Sequence, residues 1–349
     1  MNEKKNLTTE ETLALAIQNH QKKKFEAAEN LYKEILKIKP NHFQSNFLLG
    51  TLFAQIQKFN IAKKLFEKTI KINPDYMDAY NNLGNVLKEL GEYQKAKSSY
   101  ERAIQINPNY LEAYNDLGIV LKELGEYQKA KSSYERAIQI NPNYAVAHYN
   151  LGNVLQKLGE YKKAISSFEK AIQIQPGFVM AHNNLGDVLQ KLGEYKKAIN
   201  SFEKAIQIQP GFAMAYNNLG ILFQELGENQ KAINFYQMAV KYEPENLAHL
   251  YNLSRFDEKI LHSNLKNKIY KIIEKNNSTK KNIAYGNFLL SRYELKAKKY
   301  KNEFDHLLKG HQYYFESEKK KFEKGVEYFL NVLSKKKELI NLNRHNKNI

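Results

Sequence analysis

Every proline of this chain sits on one comb: Pro40, Pro74, Pro108, Pro142, Pro176, Pro210 and Pro244 follow one another at intervals of 34 residues. Glycine keeps the same register. Gly50, Gly84, Gly118, Gly152, Gly186 and Gly220 share one place in the period, and Gly91, Gly125, Gly159, Gly193 and Gly227 share another, seven residues later. A period of this length confines the chain to stacked copies of one supersecondary unit, because a single copy is too small to bury a core of its own.

The landmarks say what the unit is. In Met77–Tyr110, the residues Tyr80, Leu83, Gly84 and Leu87 recur at spacings of three and four, which puts them on one face of a first helix. Ala96, Tyr100 and Ala103 do the same for a second helix. Small residues at Gly84, Ala96 and Ala103 let the two helices approach, with Tyr80 and Tyr100 filling the space around them. Gly91 ends the first helix in the left-handed conformation that glycine adopts cheaply, and Pro108 stops the second by removing a helical N–H. Leu-Gly, Gly-x-Tyr-x-x-Ala and a closing Pro at this period resemble the tetratricopeptide repeat. The resemblance implies an all-α fold, a right-handed superhelical solenoid. Seven repeats are expected in residues 1–246, starting at Thr9, Phe43, Met77, Leu111, Ala145, Val179 and Ala213, with a basic, degenerate helical region over 247–349.

Two duplications stand inside the array. Asn81–Tyr110 and Asn115–Tyr144 differ only at Asn82/Asp116 and Asn85/Ile119, and Tyr149–Phe178 and Asn183–Phe212 differ at three positions. The first two repeats are more degenerate, with Ala16 in place of the packing glycine and Lys23 in place of the turn glycine, which suits an N-terminal cap.

In proteins of this family the first helix of each repeat lines a concave groove. Its sixth position here reads Asn82, Asp116, Asn150, Asn184, Asn218 and, in the partial repeat after Asn246, Asn252. A carboxamide offers donors and an acceptor together, so a ladder of them can grip an extended peptide backbone largely regardless of its sequence. This ladder is similar to the one in the repeat domain of protein O-linked N-acetylglucosamine transferases, which holds substrate peptides. Those six residues are therefore the expected peptide-binding set, and alanine at Asn150, Asn184 and Asn218 is expected to weaken binding without unfolding the array. Groove positions two, five and six hold Asp78, Asn81 and Asn82, then Glu112, Asn115 and Asp116, so the Lys/Arg carboxylate clamp of chaperone-binding repeats is absent.

Other chemistry is thin. The chain has no cysteine, which removes disulfides, thiolate metal sites and cysteine nucleophiles. The glycines are spent on packing and turns, and no Gly-rich phosphate loop is present. None of the nine histidines pairs at metal-ligand spacing, and His148 and His182 occupy the slot held elsewhere by Tyr80, Tyr114 and Tyr216. No cofactor is expected. Met1–Glu10 lacks a signal-peptide core, and no apolar run is long enough to cross a membrane, so a cytoplasmic protein is expected. Residues 247–349 carry +12 of the net charge of +17. Lysines there alternate with Glu and Leu on helical patterns, as in residues 319–324, which reads as a solvated helix face rather than a nucleic-acid surface.

In that basic region Leu247–Leu261 begins like an eighth repeat, and Ser263–Asn282 reads as a helix plus a polar loop. A repeat-like hairpin follows: Phe288, Leu290 and Ser291 on a first helix, Tyr300 at the turn, and Phe304, Leu307 and Gly310 on a second. Tyr313–Leu333 reads as a separate amphipathic helix. The run Tyr251-Asn252-Leu253-Ser254-Arg255, a helical spacer, then residues 288–292 through Tyr300 to Lys309-Gly310-His311 resembles bacterial proteins in which tetratricopeptide repeats precede a sulfotransferase domain. The Gly-rich donor loop that opens the catalytic domain of those proteins does not occur before Ile349, so no residue here takes a catalytic role. Two expectations stand: an interaction scaffold acting alone, or the recognition part of a sulfotransferase. The ladder alone adds a third, the repeat part of a sugar transferase.

Overall fold

The computed structural model describes residues 7–275 and 277–319, and all regular structure among them is helical. The chain divides into two compact units, Met1–Pro176 and Gly177–Ile349. The first is a stack of five hairpins: α1 (Thr9–Gln21) with α2 (Phe25–Ile38), α3 (Phe43–Gln55) with α4 (Phe59–Ile72), α5 (Met77–Glu89) with α6 (Tyr93–Ile106), α7 (Leu111–Glu123) with α8 (Tyr127–Ile140), and α9 (Ala145–Lys157) with α10 (Tyr161–Ile174). Each helix starts where the period places it.

One hairpin shows the local logic. The buried face of α5 is Ala79, Asn81, Leu83, Gly84, Val86 and Leu87, and that of α6 is Ala96, Ser99, Tyr100 and Ala103. The Tyr100 ring lies directly on Gly84, where an added Cβ would fall 2.6 Å from a ring carbon. That contact buries the tyrosine completely and removes apolar area worth about 2 kcal/mol from water. Tyr80, expected beside Tyr100 in the core, is only half-buried, because the Tyr100 ring already fills the space over the glycine.

The turn between the helices is a Schellman motif. Gly91 has φ +75°, its N–H reaches the Lys88 carbonyl at 3.0 Å, and the Glu92 N–H reaches that of Leu87 at 2.8 Å. Lys23, Gln57 and Lys298 take the same left-handed conformation without being glycine. Lysines of one repeat also reach the turn acid of the next: Lys63 to Glu92 at 2.8 Å, Lys97 to Glu126 at 3.2 Å and Lys131 to Glu160 at 3.1 Å.

The second unit holds two further hairpins, α11 (Val179–Lys191) with α12 (Tyr195–Ile208) and α13 (Ala213–Glu225) with α14 (Asn229–Tyr242). Next come the short α15 (Leu247–Ser254), a single 3-10 turn at Glu258–Ile260, α16 (Ser263–Ile273), α17 (Lys280–Lys296) and α18 over residues 300–319. Leu247, Leu250, Leu265, Ile269, Ile272, Leu289 and Leu290 form one apolar core among α15, α16 and α17. Lys298, with φ 58°, sits two residues before Tyr300, so the turn expected there is formed. The second helix expected to carry Phe304, Leu307 and Gly310 runs on into the segment expected to form the next one. Residues 300–319 are one continuous helix, because the place in the period that holds proline elsewhere holds Phe315 here. The rest of the amphipathic segment expected to reach Leu333 lies outside the described residues.

Gly118→Ala is expected to cost about 1–3 kcal/mol by forcing its methyl into the Tyr134 ring, 2.5 Å away. Gly91→Ala meets no neighbouring atom and is expected to cost about 1 kcal/mol, from backbone strain alone. Urea unfolding of both variants checks this, and equal costs would contradict the packing described.

Candidate functional site

Within each unit the first helices of successive repeats pack on one another: α1, α3, α5, α7 and α9 in turn, and α11 on α13. Successive second helices do not come together at comparable range. Each stack therefore has its first helices on its closely packed, inner side, where position six of one first helix meets position five of the one before it.

All six expected residues lie there, and all six are half-buried. They are not isolated. The Asn150 amide donates to Asn115 Oδ1 of the preceding repeat at 3.1 Å. In the second unit Asn218 donates to Asn183 Oδ1 at 3.0 Å and Asn252 to Asn217 Oδ1 at 2.9 Å. Asn183 in turn donates to Asn184 Oδ1 at 3.2 Å. The ladder is thus two residues wide, and each rung joins position six of one repeat to position five of the repeat before it. Asn115 and Asn183 are buried. The sequence reading missed their role, although Asn81, Asn115, Asn183 and Asn217 recur at the same 34-residue period. Asn150, Asn218 and Asn252 each use one N–H in their rung, and a carboxamide has a second N–H and a carbonyl oxygen besides. At Asn82 the preceding repeat offers Phe47 instead of an asparagine, and the amide borders a cavity of about 270 Å³ with Thr51, Gln55 and Asn85.

Asp116 breaks the pattern. A carboxylate cannot donate, and Asn81 Oδ1 is buried with no hydrogen-bond partner. Asp116 accepts from the Asn115 amide at 3.3 Å. Burial pushes the Asp116 pKa up, against the pull of the Lys88 ammonium. The other difference between the twin repeats acts alike. Tyr100 donates its hydroxyl to Asn85 Oδ1 at 2.8 Å, but Ile119 stands at that place below Tyr134, whose buried hydroxyl has no partner. Tyr236 also has an isoleucine there, yet it reaches Gln224 Oε1 at 2.9 Å. The residue matching Gln224 beside Tyr134 is Lys122, which pairs instead with Glu123 at 3.3 Å.

Comparison with protein families gives three matching profiles, all described as tetratricopeptide repeat, over residues 43–76, 75–143, 145–178 and 178–242. The chain belongs to the tetratricopeptide-repeat family. Among solved structures it is similar to a tetratricopeptide repeat protein from Parabacteroides merdae, at 19% identity over 70% of this chain and 97% of that one, with TM-score 0.56. It is also similar to Pseudomonas aeruginosa pilF, at 21% identity over 62% of this chain and 97% of that one, with TM-score 0.53. The crystal structure of MamA matches at 28% identity over 47% of this chain and 95% of that one, with TM-score 0.44. No curated protein matches.

In the second unit of this tetratricopeptide-repeat chain the inner face opens into a cavity of about 770 Å³, lined in part by Asn217, Asn252, His249, Lys281 and Asn282. His249 is buried, with Nδ1 3.1 Å from Asn217 Oδ1 and Nε2 3.1 Å from a Glu243 carboxylate oxygen. Burial holds its pKa below the ordinary histidine value, with Glu243 opposing. His249 stands third in the partial repeat, outside the sixth-position pattern, and no period in the sequence points to it. His148 is half-buried and reaches the Pro142 carbonyl at 2.9 Å, which fits the packing role expected of it. Among the described residues no group of three or more side chains could hold a metal ion, and no helix is long and apolar enough to cross a membrane.

Asp116→Asn restores the missing donor opposite Asn81 and is expected to stabilise the fold by about 1 kcal/mol. The folded chain holds the Asp116 proton more tightly than the unfolded chain does. Stability tied to this group is therefore full below about pH 4 and is lost as pH rises through the raised pKa. The gain from Asp116→Asn should grow over that window in urea unfolding at stepped pH, and a gain that shrinks would contradict the assignment. Tyr100→Phe should cost about 1 kcal/mol, whereas Tyr134→Phe should be neutral or stabilising, because only the first loses a hydrogen bond.

Proposed function

We propose that the chain is a protein-interaction scaffold whose inner faces hold an extended segment of a partner protein. One observation carries the reading. Polar side chains, five amides and one carboxylate, stand half-buried at one position of each first helix from α5 to α15, and the rung bonds of Asn150, Asn218 and Asn252 use only one N–H of each amide. An extended backbone presents N–H and C=O groups at short, regular intervals, which matches such a row. Asn82, Asp116 and Asn150 would serve in the first unit, and Asn184, Asn218 and Asn252 in the second.

The likeness of residues 251–310 to a repeat–sulfotransferase spacer supports one finer reading, in which the scaffold recognises the acceptor for a transferase that another segment or subunit supplies. The purified chain is then expected not to turn over a sulfate donor. Turnover in a direct assay would place catalysis in these residues and overturn that division of labour.

The two roles of the amides separate by position. Asn82→Ala removes no rung bond and is expected to weaken a peptide recovered from a random library several-fold at unchanged stability, as loss of one hydrogen bond implies. Asn218→Ala also loses its bond to Asn183, so it should additionally cost about 1 kcal/mol of stability. Calorimetry of binding beside urea unfolding tests both, and unchanged affinity in both variants would overturn the groove reading.

A further inference from the structure

Two repeats of the first unit, Asn81–Tyr110 and Asn115–Tyr144, are identical except where Asp116 replaces Asn82 and Ile119 replaces Asn85. Both exceptions lie on the inner side of α7. Both also leave a buried polar atom without a partner, Asn81 Oδ1 in one case and the Tyr134 hydroxyl in the other. Neighbouring repeats show what would satisfy both places: an amide donor, as Asn150 gives to Asn115, and an amide acceptor, as Asn85 gives to Tyr100.

We infer that the Asp116 rung is a specificity site for a basic side chain, lysine or arginine, of the segment held by the first unit; this rests on the scaffold reading above.

The Asp116 rung lacks the proton that closes its counterparts. At the closed rungs an amide N–H of position six meets the position-five carbonyl of the preceding repeat at 2.9–3.1 Å. At the Asp116 rung the same register sets a carboxylate against the carbonyl oxygen of Asn81, two acceptors with no hydrogen between them. An ammonium or guanidinium brings several donors and a charge to the half-buried Asp116 carboxylate, whereas a backbone N–H brings one donor and no charge. The chain's own cation does not fill the role. Lys88 lies within electrostatic reach of Asp116, but its ammonium is directed to Asn85 Oδ1 at 3.5 Å and forms no ion pair with Asp116. The surrounding face adds negative charge. Glu112 stands at position two of α7, and Asp78 at position two of α5 accepts the Tyr110 hydroxyl at 2.7 Å.

The test uses the full chain and peptides selected on it from a random library. Each lysine or arginine of a selected peptide is replaced by norleucine or citrulline, which keep the shape and remove the charge. One such exchange is expected to weaken binding to the natural chain by about tenfold or more, as a charge-assisted hydrogen bond implies. With Asp116→Asn the same exchange should make little difference. That variant carries the residue found at the other rungs and is expected to fold. Selected peptides without a shared basic residue, or discrimination that survives in Asp116→Asn, would overturn the inference and leave the scaffold reading standing. Failure to select any peptide would overturn both.

Discussion

A helical hairpin of this chain cannot bury its own apolar face, and the rest of the structure answers to that constraint. From α3–α4 onward the ring of Phe66, Tyr100, Tyr134, Phe168, Phe202 or Tyr236 closes its hairpin by lying on a glycine of the partner helix. The contact brings the helix pair close together but leaves its flank open, and the flank is covered only by the next copy. Stability in such an array is roughly a sum over hairpins and the interfaces between them. The interfaces here combine apolar packing, lysine-to-glutamate pairs at the turns and the two-residue amide rungs on the inner side.

The rungs connect fold to function. A buried amide costs free energy unless its partners are present, so Asn115 and Asn183 are tolerable only because the next repeat supplies a donor. The same side chains that knit neighbouring repeats also set the spacing and chemistry of the inner face. Binding a partner there would engage groups already held in place, which lowers the conformational entropy lost on association. Asp116 shows the other side of this arrangement. It gives up the rung bond that Asn150, Asn218 and Asn252 make, and a loss of stability at one half-buried inner position is the kind of departure expected where recognition, rather than folding, chooses the residue.

The repeat was legible in full from the sequence, because proline and glycine act locally. Pro108 ends a helix and Gly91 takes φ +75°, and neither needs a distant partner to do so. The inner-face residues were legible as positions but not as a network. Asn150 and Asn115 lie 35 residues apart and meet only once two hairpins have stacked, a relation that side-chain periodicity implies but does not display. The degenerate end was harder for the same reason. Without a proline at the place of Phe315, nothing local fixes where α18 stops, and the sequence was read as two helices where residues 300–319 form one. His249 was missed because its environment, Asn217 and Glu243, is assembled from three different helical segments.

Hydrogen–deuterium exchange of the full chain, with and without a library-selected peptide bound, tests the central claim most directly. Added protection is predicted along the first helices of the repeats, α5, α7 and α9 in the first unit or α11, α13 and α15 in the second. Protection confined to the second helices, or to α16 through α18, would show that the partner binds elsewhere and that the asparagine rungs only hold the repeats together.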